Sequence, residues 1–232
     1  MTHLTPARRR RNLVVVLVLI LTVGVSGWVL GWSSLLTIKQ IQVLGIAADS
    51  PLKSDVVIAR SGIRIGESMA RLNQRSVKRE LNQLPRVGMV SLVRKWPHTV
   101  VLVIRERVPM LAVVSGNEFQ LVDSKSVEYA VVPTAPVGVP TLVISGDRKI
   151  GLKTAMSVIT LLPFSIRSRV TQLESSGSDG LQMTLRGGTQ IIWGSSQDLA
   201  LKSRVLLTIL SGDGASRFKT FDVSAPYAPT AS

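Results

Sequence analysis

Few side chains of this 232-residue chain have the types and the spacing that catalysis requires. Ser68, which precedes Met69, is the serine whose setting invites comparison with a nucleophile that uses a lysine base. The next residues, Ala70, Arg71 and Leu72, do not continue that pattern, and no lysine lies in a recognisable partner segment. We therefore expect Ser68 to lie in a loop before a helix.

The remaining residues that could do chemistry are expected to have structural roles. The chain has two histidines, His3 near the N-terminus and His98, and no cysteine. This composition excludes a histidine triad, a histidine-based or thiolate metal site, and disulfides. Glu106 stands between two arginines, so we expect a surface or interdomain salt bridge. Asp123 is expected in a turn where its side chain bonds its own backbone. We predict no enzymatic activity, no catalytic, metal-binding or cofactor-binding residue, and no cofactor.

The N-terminal part combines a cationic cluster with an uncharged segment. No charged residue occurs from Asn12 to Ile38, and Leu13 to Trp32 is a run of twenty mostly apolar residues. As a helix this run is about 30 Å long, which matches the hydrocarbon thickness of a bilayer. Four arginines stand immediately before it: Arg8, Arg9, Arg10 and Arg11. Because such cations stay cytoplasmic, we predict a cytoplasmic stub over 1–12, a transmembrane helix over 13–34 and an extracytoplasmic remainder.

A cleavable signal and an export signal both fit this segment less well than an anchor does. A cleavable secretory signal has an apolar region of about 7 to 15 residues, which is shorter than the run observed here. The Arg10-Arg11 pair could belong to a twin-arginine export signal, but four arginines before a long apolar segment also follow from topology alone. We therefore interpret the segment as a retained anchor in the plasma membrane.

The charge of the chain indicates anionic surroundings. The formal net charge is +14, and without the four arginines 24 Lys and Arg stand against 14 Asp and Glu, a net +10. The cations are scattered, only ten residues are aromatic, and no nucleic-acid-binding motif occurs, so nucleic acid is not an expected partner. Beyond a membrane the available anions are lipid head groups and wall polymers, so we expect contact with membrane lipid and weak contact with wall polymers.

Short periodic segments after Thr37 predict an α+β fold. Ile41 and Val43 alternate with glutamines before Gly45, the pattern of a half-buried strand that ends in a turn. Two helices and two strands follow, with Ser54 expected as an N-cap and a turn at Trp96-Pro97-His98: Val56 to Arg60, Gln74 to Gln83, Val87 to Val93, and Thr99 to Arg105. The order strand, helix, helix, strand, strand predicts a small sheet with helices on one face.

Residues along these elements resemble a known family pattern. They are Leu84-Pro85, Val87, Val90, Leu92, Arg94, Trp96-Pro97, Glu106 and Pro109. This combination resembles the POTRA domain of the FtsQ/DivIB bacterial cell-division proteins. By that resemblance Ile41, Val43 and Gly45 form the opening strand and turn just outside the membrane.

The resemblance extends into the second half of the chain. Leu121-Val122-Asp123 before Val127 is similar to the family's strand and turn, although Ser126 stands where a glycine is usual, so we expect the turn to differ. Val139-Pro140-Thr141-Leu142 resembles the family's Leu-Pro-x-Leu segment, with Val139 as a departure. The resemblance assigns motif positions of structural importance to the following residues: Gly45, Pro85, Trp96, Pro97, Glu106, Pro109, Asp123, Pro140, Gly194 and Lys202.

Periodicity predicts further elements in this half. Gly187-Gly188 is typical of a tight β-hairpin turn. Pro163 is expected to end the helix that precedes it. The expected elements are a helix from Gly151 to Leu162, strands from Leu181 to Leu185 and Thr189 to Trp193, and a helix from Asp198 to Leu210.

The last predicted strand carries the functional expectation. Its residues are Thr220, Phe221, Asp222, Val223 and Ser224, followed by a loose tail over 225–232. A terminal strand is often an edge with unpaired backbone groups. The resemblance implies that this edge accepts a strand from the single-pass partner FtsB by β-augmentation. Phe221 and Val223 can also be core residues, because inward side chains leave the backbone edge available.

The predicted anchor together with the resemblance implies a bitopic scaffold of the bacterial division machinery, concentrated at the septum. The expected domains are a POTRA domain over 35–107 and a distal, mixed β-sheet domain with flanking helices over 108–224. By resemblance the POTRA domain docks other division proteins, whereas the distal domain binds FtsB and, through it, FtsL, so that septal wall synthesis is controlled. The alternatives are a POTRA-containing secretion or transport component and a membrane-anchored serine/lysine signal peptidase.

Overall fold

The computed structural model describes residues 6–32, 36–178, 180–212, 214 and 217–232. The chain divides into two compact units, Met1–Glu106 and Arg107–Ser232. The α+β class predicted from the sequence is confirmed. The helices of the described residues are α1 Pro6–Trp32, α2 Ser54–Ser61, α3 Gln74–Leu81, α4 Arg148–Leu161, α5 Phe164–Arg167 and α6 Leu199–Leu210.

The N-terminal helix α1 contains the uncharged segment. The apolar side chains from Leu13 to Val25 are exposed to solvent, with Leu17 at 66% and Leu21 at 65%. Among the described residues, no helix combines the length and the hydropathy that crossing a bilayer requires. Residues 33–34 of the predicted span and residues 1–5 of the predicted stub lie outside the described residues.

The first unit contains a three-stranded sheet in the order β1-β3-β2. Its strands are β1 Gln40–Leu44, β2 Val87–Lys95 and β3 Thr99–Glu106. β1 runs parallel to β3, and β2 is antiparallel to β3. Val57 of α2, Leu81 of α3 and Leu102 of β3 share one buried core. The predicted order of strand, helix, helix, strand, strand is confirmed.

The helix boundaries of this unit differ from the predicted ones. Lys53 occupies the N-cap position of α2, so the prediction that Ser54 caps this helix is wrong: Ser54 is already helical. The helix ends at Gly62, whose φ of 68° suits a residue without a side chain. The side chain of Asn73 caps α3 by accepting hydrogen bonds from two backbone amides, Arg75 N at 3.0 Å and Ser76 N at 3.2 Å.

The second unit contains a nine-stranded mixed sheet in the order β12-β11-β10-β9-β8-β7-β4-β5-β6. Parallel pairs join β4 to β7, β7 to β8 and β10 to β11, and the other neighbours are antiparallel. The strands are β4 Pro109–Ser115, β5 Glu118–Asp123, β6 Glu128–Val132, β7 Thr141–Ile144, β8 Val170–Ser175, β9 Leu181–Leu185, β10 Gln190–Gly194, β11 Thr220–Asp222 and β12 Thr230–Ala231. The hairpin predicted at Gly187-Gly188 is confirmed, because β9 and β10 pair antiparallel across it.

Helices α4 and α6 contact each other, and α4 contacts β7 and β8. α4 begins at Arg148, earlier than predicted, because Oδ1 of Asp147 accepts a hydrogen bond of 2.8 Å from Ile150 N. Gly151 is therefore inside the helix, where a Cβ atom would lie 2.7 Å from Cγ2 of Ile144. This close approach lets α4 lie against β7.

The C-terminal end of the large sheet requires a correction. The prediction that Thr220–Ser224 forms the outermost strand is wrong, because Thr230–Ala231 returns and pairs with β11. The predicted loose tail over 225–232 therefore contains the edge strand β12. Two residues are too few to produce a periodic pattern, which is why the sequence did not indicate this strand.

Candidate functional site: the strand edge at residues 220–224

Alternate side chains of the terminal segment enter the core. Phe221 is 1% exposed and Val223 is 0% exposed, and both belong to the main core of the second unit. Thr220 and Asp222 are half-buried and Ser224 is exposed, as expected of residues on the opposite face. The core role expected for Phe221 and Val223 is confirmed, and their side chains leave the two backbone edges of this segment free to pair with neighbouring strands.

The inner side of this segment is joined to β10. Ile191 pairs with Phe221 in parallel register, and Val223 N donates a hydrogen bond of 2.9 Å to Ile192 O. Gln190 N donates a hydrogen bond of 2.8 Å to Lys219 O. These bonds consume the backbone groups that face the sheet, so a further strand can pair only on the other side.

The outer side of β11 is occupied by β12. Thr220 N donates to Ser232 O at 2.9 Å, and Ser232 N donates back to Thr220 O at 3.0 Å. Asp222 pairs with Thr230, which is exposed like its neighbour Ala231. The outward backbone groups of β11 are thus covered by a short strand that contributes no buried side chain.

Lys202 of α6 supports the loop that follows β10. Its side chain is buried, and Nζ donates hydrogen bonds to the carbonyl oxygens of Trp193 at 3.1 Å and Ser195 at 3.0 Å. Burial lowers the pKa of Lys202, whereas the charges of Asp198 and Asp222 act in the opposite direction. The ammonium group therefore ties α6 to the end of β10, the strand on which β11 is built.

The loop bridged by Lys202 has a left-handed backbone conformation at two places. Gly194 has a φ of 71°, which glycine adopts without strain, and Asp198 has a φ of 51°, in a region that residues with a side chain rarely adopt. Two carbonyl groups held by one cation can stabilise such a conformation. Gly194 and Lys202, both motif residues, are thereby brought into one structural feature.

A second polar feature lies in the turn between β5 and β6. Oδ1 of Asp123 accepts hydrogen bonds from Lys125 N and Val127 N, each at 2.9 Å, as expected for this residue. Oδ2 forms an ion pair with Arg107. Burial alone would raise the pKa of Asp123, but hydrogen bonds from Val127, Arg107 and Lys125 together hold it below its usual value.

Glu106 has a different role from the one predicted. Its Oε1 accepts a hydrogen bond of 3.0 Å from Ala47 N, and its Oε2 accepts one of 2.5 Å from Ser50 Oγ. The salt-bridge prediction is wrong within the described residues, since Glu106 holds the loop after β1 instead. Gly45 precedes that loop with a φ of 86°, and a Cβ atom there would lie 2.1 Å from Ile104 O. The loop therefore depends on both residues.

The remaining motif residues mark turns and strand ends. Trp96 and Pro97 are joined by a cis peptide bond in the turn between β2 and β3, and the Trp96 side chain is exposed. Pro85 lies in the turn between α3 and β2, and Pro109 begins β4. Pro140 O accepts a hydrogen bond of 3.0 Å from the backbone amide of residue 112. These positions organise backbone turns.

Ser68 lies in the loop before α3, as expected. It forms an isolated antiparallel bridge with Thr37, and Met69 is fully buried with its amide bonded to Leu36 O at 2.9 Å. The Oγ atom of Ser68 is buried and has no hydrogen-bond partner among the described residues. Its setting is that of a packed loop residue.

Comparison with known proteins assigns both units. Residues 36–107 match the family model described as "POTRA domain, FtsQ-type", and residues 112–224 match "Cell division protein FtsQ/DivIB, C-terminal". The chain belongs to the FtsQ/DivIB family. The suspected resemblance is confirmed, and the POTRA fold expected of the first unit with it.

Individual FtsQ relatives align along most of the chain. A protein of Streptomyces bingchenggensis named Cell division protein FtsQ is 33% identical over 95% of this chain and 86% of its own length. One of the same name from Streptomyces collinus is 32% identical, with coverage of 97% and 89%. A more distant FtsQ from Mycobacteroides abscessus is 27% identical over 94% of this chain and 68% of its own length. The transport and signal-peptidase alternatives have no such support.

One departure from the FtsQ/DivIB pattern has a visible consequence. Ser126 replaces the usual glycine and has a φ of 61°, so the turn keeps the left-handed conformation that glycine would favour. The hydrogen bonds that Asp123 accepts from Lys125 and Val127 enclose this residue. The turn therefore holds a serine in a left-handed conformation.

The sequence did not indicate several contacts that organise the site. Lys202 bonds to backbone carbonyl oxygens and Glu106 accepts a bond from a backbone amide, and backbone groups are the same in every residue, so the sequence does not identify these partners. Only the position of Lys202 offered an indication: a lysine among the apolar residues of α6 would be buried, and a buried lysine requires hydrogen-bond partners.

Proposed function

We propose that this protein is a membrane-anchored scaffold of the bacterial division machinery, acting at the septum by binding other division proteins. The family match over both units is the observation that carries the proposal. We further propose that the functional domains are 35–107 and 108–224. Ser68, Glu106 and Asp123 have contacts within the fold: the backbone of Ser68 bridges Thr37, Glu106 accepts a hydrogen bond from Ser50, and Asp123 pairs with Arg107.

The anchor is proposed to be the predicted span over 13–34, of which residues 33–34 lie outside the described part of the chain, with the N-terminus in the cytoplasm. The support is the uncharged segment from Asn12 to Ile38 behind Arg8–Arg11, together with the exposure of apolar side chains such as Leu17. Alkaline extraction should leave the protein in the membrane, and a phosphatase fused after Ser232 should be active outside. An alkali-soluble protein would contradict the anchor.

We propose that FtsB-like partners contribute a strand to the outer edge of β11, and that FtsL-like proteins join through them. Backbone pairing requires a row of free groups on the receiving strand. Once β12 is displaced, the segment from Lys219 to Val223 offers such a row and is held in place by the buried side chains of Phe221 and Val223, whereas β12 contributes only two residues. The partner strand would therefore replace β12 and gain a longer contact.

Replacement of β12 has a low expected cost. Thr230 and Ala231 are exposed, so their departure takes no side chain out of the core. The hydrogen bonds that β12 makes with Thr220 and Asp222 would be remade by the incoming strand. The net gain then comes from pairing beyond these two positions and from side chains of the partner.

The proposal is tested by localisation and depletion in the producing bacterium. A fluorescent fusion of the full chain should concentrate at septa, depletion should give filamentous cells, and capture from membranes should recover small single-pass coiled-coil division proteins. The matched control is the same fluorescent protein fused to residues 1–36 alone, which should spread evenly over the membrane. Even distribution of the full chain, with normal division after depletion, would contradict the proposal.

A further inference from the structure

An open groove lies beside α4, far along the sheet from the β11 edge. It has a volume of about 600 Å³ and runs between one face of α4 and the turn between β5 and β6, where Ser124 and Ser126 form the opposite wall. β5 is separated from β11 by five strands in the sheet order. We call this feature the α4 groove. It is independent of the proposed strand site.

The floor and the rim of the α4 groove differ in chemistry. Leu152 and Met156, one helical turn apart, form an apolar floor. Lys149, Lys153 and Leu161 belong to the neighbouring row of the helix, and Leu161 is 46% exposed. The two lysines thus place positive charge along one side of an apolar depression.

The cations of the α4 groove are available for an external partner. The ion pairs of this region use other cations, Arg107 with Asp123 and Arg148 with Glu128 at 3.2 Å. Lys149 and Lys153 are exposed, and within the described part of the chain neither forms an ion pair. An anionic partner would therefore meet two cations that no internal carboxylate neutralises.

We propose that the α4 groove binds an acidic amphipathic helix of a partner protein. Two adjacent rows spaced by four residues, 149-153-157-161 and 152-156-160, create a furrow into which the side chains of another helix can pack. Apolar residues of the partner would cover Leu152, Met156 and Leu161. Its carboxylates, spaced by one helical turn, would meet Lys149 and Lys153.

The walls of the α4 groove are fixed before binding. Asp123 holds the turn through Lys125 N and Val127 N, and buried Gly151 seats α4 against β7. A preformed groove loses little conformational entropy when a helix enters it. A concave site flanked by cations also suits a helix better than a bilayer surface, which is flat on this scale.

The test uses the purified full-length chain in detergent and a fluorescent peptide of about 18 residues, long enough for two leucine-bearing turns on one face. The acidic peptide carries glutamates beside the leucines, and its matched partner carries lysines instead. Fluorescence anisotropy should detect binding of the acidic peptide alone, weakening as salt is raised. Lys149→Glu combined with Lys153→Glu should weaken binding at least about tenfold, and Leu161→Ser several-fold.

The control applies the same charge change elsewhere. Lys53→Glu combined with Lys95→Glu alters two exposed lysines of the first unit and should leave binding within about twofold. Binding of both peptides alike, binding of neither, or equal loss in the control variant would overturn the proposal. Lys149-dependent binding to phosphatidylglycerol vesicles, without binding to the acidic peptide, would overturn it in favour of a membrane contact.

Discussion

Nζ of Lys202 donates a hydrogen bond of 3.1 Å to the carbonyl oxygen of Trp193, although the two residues belong to different elements. Ser195 O accepts a second bond at 3.0 Å. Both the lysine and Trp193 are 1% exposed, so a cation is buried beside the strand that carries β11. The two bonds of Lys202 flank Gly194, so this lysine clamps the end of β10.

Replacing Lys202 by methionine should destabilise the second unit. The substitution keeps the apolar volume but leaves the carbonyl groups of Trp193 and Ser195 without their donor, at a cost of about 1 to 3 kcal/mol. Chemical denaturation would measure the change. Lys153→Met, at an exposed helix position, is the matched control and should alter stability by about 0.5 kcal/mol or less. Equal stability of Lys202→Met and the wild type would show that the clamp has no energetic role.

Asp123 should make the second unit less stable as the pH falls into the acidic range. Its pKa in the folded protein lies below the usual value of 3.8, so ionised Asp123 stabilises the fold above that value, and this contribution is lost as pH falls through the lower folded pKa. Asp123→Asn should therefore be less stable than wild type at neutral pH by about 2 kcal/mol, because the charge-assisted hydrogen bond from Arg107 is lost at a largely buried site. Urea denaturation between pH 7 and pH 2 should show the difference shrinking with acid. A difference independent of pH would contradict this assignment.

Gly45 should tolerate no side chain. Gly45→Ala combines a left-handed φ with a Cβ atom 2.1 Å from Ile104 O, whereas Gly66→Ala has a similar φ of 89° and no atom within 4 Å. The control should cost about 1 to 2 kcal/mol and Gly45→Ala about 3 kcal/mol or more. Thermal unfolding of both variants measures the comparison. Equal losses would mean that the close approach to β3 is not rigid.

Replacing Ser126 by glycine should stabilise the second unit. Ser126 has a φ of 61°, so Ser126→Gly removes steric strain and should stabilise the second unit by about 0.5 to 1 kcal/mol. Ser124 is not among the described non-glycine residues with positive φ, so Ser124→Gly should give no gain. Differential scanning calorimetry of both variants would decide. A loss of stability in Ser126→Gly would contradict the claim that the backbone of Ser126 is strained.

The sequence predicted the features that depend on local pattern. The first unit follows alternation and helix periodicity, and the hairpin at Gly187-Gly188 follows turn chemistry. The start of α4 was missed because the charged residues Arg148 and Lys149 precede the apolar face. The nine-stranded order was not predictable, since parallel pairs such as β4 with β7 join segments that are distant in the chain.

The candidate site at residues 220–224 was predicted only where it depends on local alternation of side chains. Alternation at Phe221 and Val223 indicated a strand with a buried face, which the structure contains. Whether its outer backbone is free depends on where residues 225–229 lead the chain, and no periodicity encodes that path. The return of Thr230 and Ala231 to β11 is consequently visible only in the folded structure.

The outward edge of β11 is best probed at Thr220. Thr220→Pro removes the amide that faces β12 and leaves the bond from Val223 N to Ile192 O in place. Thr220→Ala removes the same side chain but keeps the amide, so it is the matched control. Val223→Pro is less selective, because it breaks the inner bond to β10 and alters a fully buried residue.

The most direct measurement is the affinity of the purified full-length chain for the purified FtsB-like protein of the same bacterium. Thr220→Pro should weaken binding about tenfold, the equivalent of about 1.4 kcal/mol, and Thr220→Ala should stay within about twofold. Removal of residues 229–232 should strengthen binding, because β12 no longer competes. Unchanged affinity of a folded Thr220→Pro protein would contradict strand addition at β11.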